Sequence, residues 1–300
     1  MDSKGTRIPP EYLVGESALK GMLAEVSCTP KPGLVDRNDP GANKDMDYCL
    51  FMFSSSVLGA GFSRFAQLGY QHEGPFPDLL QNVRELGKKI EKRMFRVTKG
   101  VNTQKGLLFL MGLICASAGS IINEGISLSP ENICTRISQI TEGIVERELF
   151  SLISKNRLSG LTRGEELFLE HGIRGIRGEV EDGLPSVLKY GLVYLKEALS
   201  RGMSMNDSGI NALLGIMSQA EDTNIMSRSS PEYLENTVRK LASNALNAGG
   251  MGTTEGRGYI LYLNDLFKRK NINPGGSADL LAVTFTLYFL SLPELESEIW

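Results

Sequence analysis

Apolar residues recur at three- and four-residue spacing through almost the whole chain, the pattern of helices that each bury one face. The spacing predicts helices over residues 12–26, 46–68, 78–97 and 107–118. Ser129 and Pro130 open another that runs towards 149. Further helices are predicted over 185–199, 210–219, 232–246, 259–268 and 278–290. The 46–68 segment carries Leu50, Phe51, Leu58, Phe62 and Phe65 on a broad apolar face. In 78–97, Lys88, Lys89, Glu91, Lys92 and Arg93 face solvent. Residues 107–118 are apolar nearly all round, which places that helix at the centre. Residues 159–183 read as irregular and glycine-rich. No stretch alternates with period two between turn dipeptides. The expectation is an all-α, single-domain, multi-helix bundle over 1–300, with 1–9 as a flexible tail. Polar, glycine-rich loops at one end are expected to form one large pocket.

The stretch 28–47, CTPKPGLVDRNDPGANKDMD, breaks this pattern. Pro30, Pro32 and Pro40 fix φ and remove backbone donors, and Gly33 and Gly41 invite turns. Leu34 and Val35 give the middle an apolar anchor. A loop of this length inside a compact domain is either functional or flexible. Lys31, Arg37 and Lys44 alternate with Asp36, Asp39, Asp45 and Asp47. Cations beside carboxylates suit a phosphorylated ligand that brings a divalent metal, and they equally suit a solvated connector.

Composition narrows the class. A length of 300 residues is the upper end for one hydrophobic core, and 41% hydrophobic content fits a soluble globular protein. A net charge of −3 argues against a nucleic-acid binder. Cys28, Cys49, Cys115 and Cys134 are scattered and form no CxxC, which favours reduced thiols in the cytoplasm over disulfides or zinc. The N-terminus lacks the apolar core of a signal peptide, and the 107–118 run is too short to cross a bilayer, so no membrane association is expected. A homodimer is left open.

Four more loops could carry chemistry. In GVNTQKG, Asn102 or Thr103 reads as a helix N-cap. Lys105 then falls in the first turn, where the helix dipole disfavours a cation unless phosphate binds. The alternative is that Lys105 extends to solvent. In EHGIRGIRGEVEDGLPS, Arg174 and Arg177 can neutralise a polyphosphate, and Glu179, Glu181 or Asp182 can serve as base or metal ligand. His171 reads as structural, and with His72 the only other histidine, Ser-His-Asp chemistry is a weak hypothesis. In AEDTNIMSR, Glu221, Asp222 and Asn224 offer hard oxygens and Arg228 an anion contact. In NPGGSAD, Ser277 reads as the N-cap of the last helix and Asp279 as a favourable first-turn charge.

The segments TPKPGLVD, GANKDMD, GVNTQKG, GIRGEVEDGLPS, EDTNIMSR and NPGGSADLLA resemble, in order, those of the triphosphoribosyl-dephospho-CoA synthases. The resemblance implies an all-helical transferase. It moves the triphosphoribosyl group of ATP onto the 2′-hydroxyl of 3′-dephospho-CoA and releases adenine. The product is the prosthetic-group precursor for the acyl carrier of citrate lyase or malonate decarboxylase. On this reading Lys31, Lys105, Arg174, Arg177 and Arg228 hold the triphosphate. Asn43, Lys44, Asn102, Gln104, Asn224 and Ser277 add polar contacts. Asp45, Asp222 and Asp279 are the candidates for Mg²⁺. Glu179 is the expected base, with Glu181 next, because alternation along an extended segment would put both on one side, and Asp36 third. Family members often carry His where this chain has Asn43 and Gln104; Asn and Gln keep hydrogen bonding but do not titrate. A helical nucleotide-binding regulator without turnover, or the same transfer to another acceptor, stands as the alternative.

Overall fold

The computed structural model describes residues 8–154 and 159–299, so positions 1–7 of the expected tail lie outside the described residues. Among the described residues there is no strand. The first half is a run of helices α1 (Pro10–Ser27), α2 (Tyr48–Tyr70), α3 (Phe76–Val97), α4 (Lys105–Asn123) and α5 (Pro130–Thr141). Pro10 and Pro130 sit in first turns, where a missing N–H costs nothing, and Ser129 caps α5 by accepting from Asn132 N–H.

Helix α4 lies at the centre against α1, α2, α3 and α5. Every residue from Leu107 to Ile122 except Phe109 is buried. Its contact with α2 is close enough to require glycine on both helices. A Cβ on Gly69 would lie 1.8 Å from the Ala116 carbonyl oxygen, and one on Gly119 would lie 1.9 Å from that of Ala66. The helix is also longer than its most apolar run. At 19 residues α4 is long and apolar enough to cross a membrane, and so is α2 at 23 residues, which corrects the expectation drawn from 107–118. Protein, however, surrounds α4.

The irregular reading of 159–183 fails twice. Residues Arg163–His171 form helix α6 and Gly175–Glu181 form α7. A capping box starts α6: Thr162 Oγ accepts from Glu165 N–H, and Glu165 reaches back to Thr162 N–H at 2.6 Å. The second half continues with α8 (Met205–Met217), α9 (Thr223–Arg228), α10 (Thr254–Lys270) and α11 (Gly275–Leu290). Helix α11 packs on α1, α4 and α8, and so joins the two halves of the core.

Candidate active site

Residues from all six motif segments line one cavity of about 330 Å³, within the range of small-molecule sites. The opening loop is held there by its own aspartates. Asp36 accepts N–H bonds from Lys31 (3.0 Å), Asn38 (2.8 Å) and Asp39 (2.9 Å). Asp39 accepts from Lys268 (2.6 Å) and Asn264 (3.2 Å) on α10, and Asn264 accepts from Gly33 N–H. Burial pushes the Asp39 carboxyl up, but the hydrogen bonds from Lys268 and the Gly41 N–H outweigh it and hold it below the usual range. Leu34 and Val35 are buried and face the cavity, and Asn43 Oδ1 accepts from Asn273 Nδ2 at 2.7 Å.

Several expected phosphate contacts are committed elsewhere. Lys31 lines the cavity but is fully buried and ion-paired with Glu25, which is also buried. Lys105 pairs with Glu91 at 3.0 Å. Arg174 is paired with Asp182, and Arg177 with Glu148 at 2.8 Å; neither arginine lines the cavity. Lys44 and Asp45 are exposed and lie off the lining, as does Asp36. Arg228 lines the cavity and, among the described residues, has no carboxylate partner; its Nη1 donates to Asn271 Oδ1 at 3.1 Å.

Helix α7 separates the two glutamates that an extended chain would have kept together. Ile176 and Glu179, three apart, face the cavity. Arg177 and Glu181, four apart, take another face and reach Glu148 and the Val145 N–H. Glu179 accepts from the Ser186 N–H (2.8 Å) and Ser186 Oγ (3.0 Å). Burial raises its pKa, Ser186 opposes this, and the charges of Asp182 and Glu221 raise it further.

At the other wall, Asp222 ties α9 to α11. Its Oδ1 accepts from the N–H groups of Asn224 (3.0 Å) and Ile225 (3.2 Å), while its Oδ2 accepts from Ser277 N–H and Oγ. Four acceptor positions are therefore filled, and a metal on Asp222 would have to displace a partner. Ser277 is not the N-cap of α11, which begins two residues earlier after Pro274, and it is not on the lining. Asp279 is on the lining with no hydrogen-bond or ion-pair partner among the described residues. Burial first, then the charges of Glu25 and Asp222, hold its carboxyl well above the ordinary range.

The α4 entrance supplies amides and hydroxyls. The N-cap position of α4 falls on Gln104, not on Asn102 or Thr103, and its side chain makes no capping bond; Asn102 Oδ1 accepts from the Lys105 N–H at 3.2 Å. Thr103 Oγ donates to Ser54 Oγ (2.8 Å), which donates to Gln104 Oε1 (2.7 Å). The Gln104 Nε2 is buried without a partner among the described residues. Asn102, Gln104 and Asn224 line the cavity. Sequence reading missed Glu25 and Asn273, both on the lining. The signal for Glu25 was a carboxylate on the apolar stripe that also carries Val14, Ala18 and Met22.

The fold and site define a class: an all-helical protein whose pocket sets a poised carboxylate beside amides and cations. The particular family follows from comparison. The CitG family model, ATP:dephospho-CoA triphosphoribosyl transferase, matches residues 12–297. The chain belongs to that family. It is 39% identical over 291 residues to a probable 2-(5''-triphosphoribosyl)-3'-dephosphocoenzyme-A synthase of Malonomonas rubra, covering 97% of this chain and 92% of that protein. It is 33% identical to the 2-(5''-triphosphoribosyl)-3'-dephosphocoenzyme-A synthase of Pectobacterium atrosepticum, covering 92% of this chain and 88% of that protein. No solved structure matches the chain.

Proposed function

We propose that this chain transfers the triphosphoribosyl group of ATP to the 2′-hydroxyl of 3′-dephospho-CoA with release of adenine, in the cavity described above. The observation that carries the reading is the family match over residues 12–297, whose six motif segments, scattered from Thr29 to Ala282, all reach one cavity.

Breaking the bond between ribose C1′ and adenine develops positive charge on the sugar, as in other glycosyl transfers. The lining carboxylates Glu179, Glu221 and Asp222 supply negative charge around that centre, while Glu25 is offset by Lys31 and Asp279 is held towards its neutral form. Glu179 takes the proton of the incoming hydroxyl; a carboxylate with a raised pKa, oriented by Ser186, suits that task. The new bond forms at C1′ as the bond to adenine breaks; the leaving base departs with its electron pair and takes a proton from water, and Glu179 returns its proton to solvent, so that neutral adenine is released and the base is regenerated. Asn43, Asn102, Asn224 and Asn273 provide neutral donors and acceptors for ribose and base.

Mg²⁺ belongs to the proposal as a companion of the triphosphate. No group of three or more Asp, Glu, His or Cys among the described residues is arranged to hold a metal unaided. Mg²⁺ commonly needs only one or two carboxylates besides phosphate and water. Asp279, unpartnered and beside like charges, fits that role, and the ion would neutralise part of the phosphate charge. The cytoplasm is the proposed compartment, in keeping with four unpaired cysteines.

Chromatography of ATP incubated with the protein, with and without dephospho-CoA, tests the reaction. Free adenine that appears only with the acceptor is expected. ADP or AMP as the sole nucleotide product would overturn the reading.

A further inference from the structure

A second cavity, of about 200 Å³, shares Arg228 with the main one. Tyr233, Lys270 and Asn271 line it as well. Lys270 has no ion-pair partner among the described residues, and the Tyr233 hydroxyl has no hydrogen-bond partner among them. The Arg228 guanidinium is aimed by a neutral group, Asn271 Oδ1, so its charge stays uncompensated. The backbone places these groups together: α9 ends on Arg228, and α10 ends on Lys270 with Asn271 as its left-handed C-cap. The dipoles at the ends of α9 and α10 account for a cation at each end, but not for an open cavity that both cations line.

Charge in the main cavity supplies the second part of the argument. Its lining holds five carboxylates and three cations. Two of the cations, Lys31 and Lys105, are already ion-paired with Glu25 and Glu91. Glu25 is offset by Lys31 and Asp279 is held towards its neutral form, so a phosphate chain laid wholly inside would still meet Glu179, Glu221 and Asp222, whose charge one divalent ion relieves only in part. The unspent positive charge lies at Arg228 and beyond it.

We propose that the Arg228–Lys270 side cavity is a phosphate-chain subsite of the same active site, with Arg228 as the hinge between sugar and phosphates. This rests on the reading given under Proposed function. Ribose and base then occupy the carboxylate-lined floor, and the phosphates run past Arg228 to Lys270 and the Tyr233 hydroxyl. Two substrates could supply the chain, the triphosphate of ATP or the diphosphate of dephospho-CoA.

Lys270→Gln and Tyr233→Phe test the assignment, because neither residue lines the main cavity. The probe is inorganic tripolyphosphate, measured by calorimetry against the full chain. Each variant should bind it about tenfold more weakly, the scale of one charge-assisted contact, and Lys270→Arg should restore it. A rise in KM for ATP, with kcat at saturation kept within about twofold, assigns the cavity to the triphosphate. The same rise in KM for dephospho-CoA assigns it to the diphosphate. Unchanged tripolyphosphate binding and unchanged KM for both substrates would overturn the subsite. Wild-type adenine release is scored separately: its presence beside silent variants sinks the subsite alone, and its absence sinks the transfer reaction alone.

Discussion

Asp222 grips Ser277 twice, accepting its backbone N–H at 2.7 Å and its hydroxyl at 2.9 Å, across 55 positions of sequence. The other carboxylate oxygen caps α9. One buried side chain thus fixes two cavity walls relative to each other. Asp222→Ala leaves the Ser277 N–H and two helix donors without their partner, each a buried group whose desolvation goes unrepaid. The variant should lose about 3 kcal/mol of unfolding free energy in urea titration. A loss below about 1 kcal/mol would show that the walls are held by other contacts.

Glu179 and Glu181 offer a paired test. Glu179→Gln should keep its helical spectrum and substrate affinity while turnover falls about 10²–10⁴-fold. Glu181→Gln, on the face turned towards Val145, should stay within about threefold of wild type. A drop of less than tenfold for Glu179→Gln would pass the role to another lining carboxylate.

Among the cations, ATP affinity should follow partnership. Arg228→Ala should weaken ATP binding about tenfold in calorimetry. Arg174→Ala and Arg177→Ala should change it less than about threefold, since both guanidiniums serve carboxylates outside the cavity. Equal losses in all three would mean that the arginines leave their partners when nucleotide binds.

Lys31 is expected to act through stability. Removing one member of the buried Lys31–Glu25 pair strands the other charge, at a cost of about 3–5 kcal/mol. Lys31→Met should therefore lower the melting temperature sharply, and Lys31→Met with Glu25→Leu should recover much of it. A double variant no more stable than the single one would disprove the pairing argument.

Asp279 gives a pH dependence with a defined sign. Its carboxyl is held well above the usual range in the folded chain, so the folded state binds a proton that the unfolded state releases. Its contribution is fully present below the ordinary aspartate pKa of about 3.9 and is lost as pH rises through the folded value. Asp279→Asn, which cannot ionise, should match wild type near pH 4 in metal-free buffer. Its advantage in melting temperature should then grow with pH. A gain that is constant across pH would remove the charge argument.

The chain's own pattern determined the helical class, the buried centre at α4 and the stretches that gather at the cavity. Helical periodicity and proline–glycine breaks are local properties and need no partner to be read. It also carried signals that went unused, such as the Thr162–Glu165 capping box that starts α6 and the lone Glu25 on an apolar stripe. What only the tertiary structure decided was the destination of each charge. Lys31, Lys105, Arg174 and Arg177 look alike as cations in polar loops, yet Lys105 and Arg177 meet carboxylates of other helices, Glu91 and Glu148, and Lys31 and Arg174 are turned back onto Glu25 and Asp182 of their own stretch of chain. Asp222 and Asp279 also looked equivalent, but one is saturated with hydrogen bonds and the other faces the cavity alone. Pairing depends on through-space distance and burial, and neither is encoded in the spacing of residues along one segment.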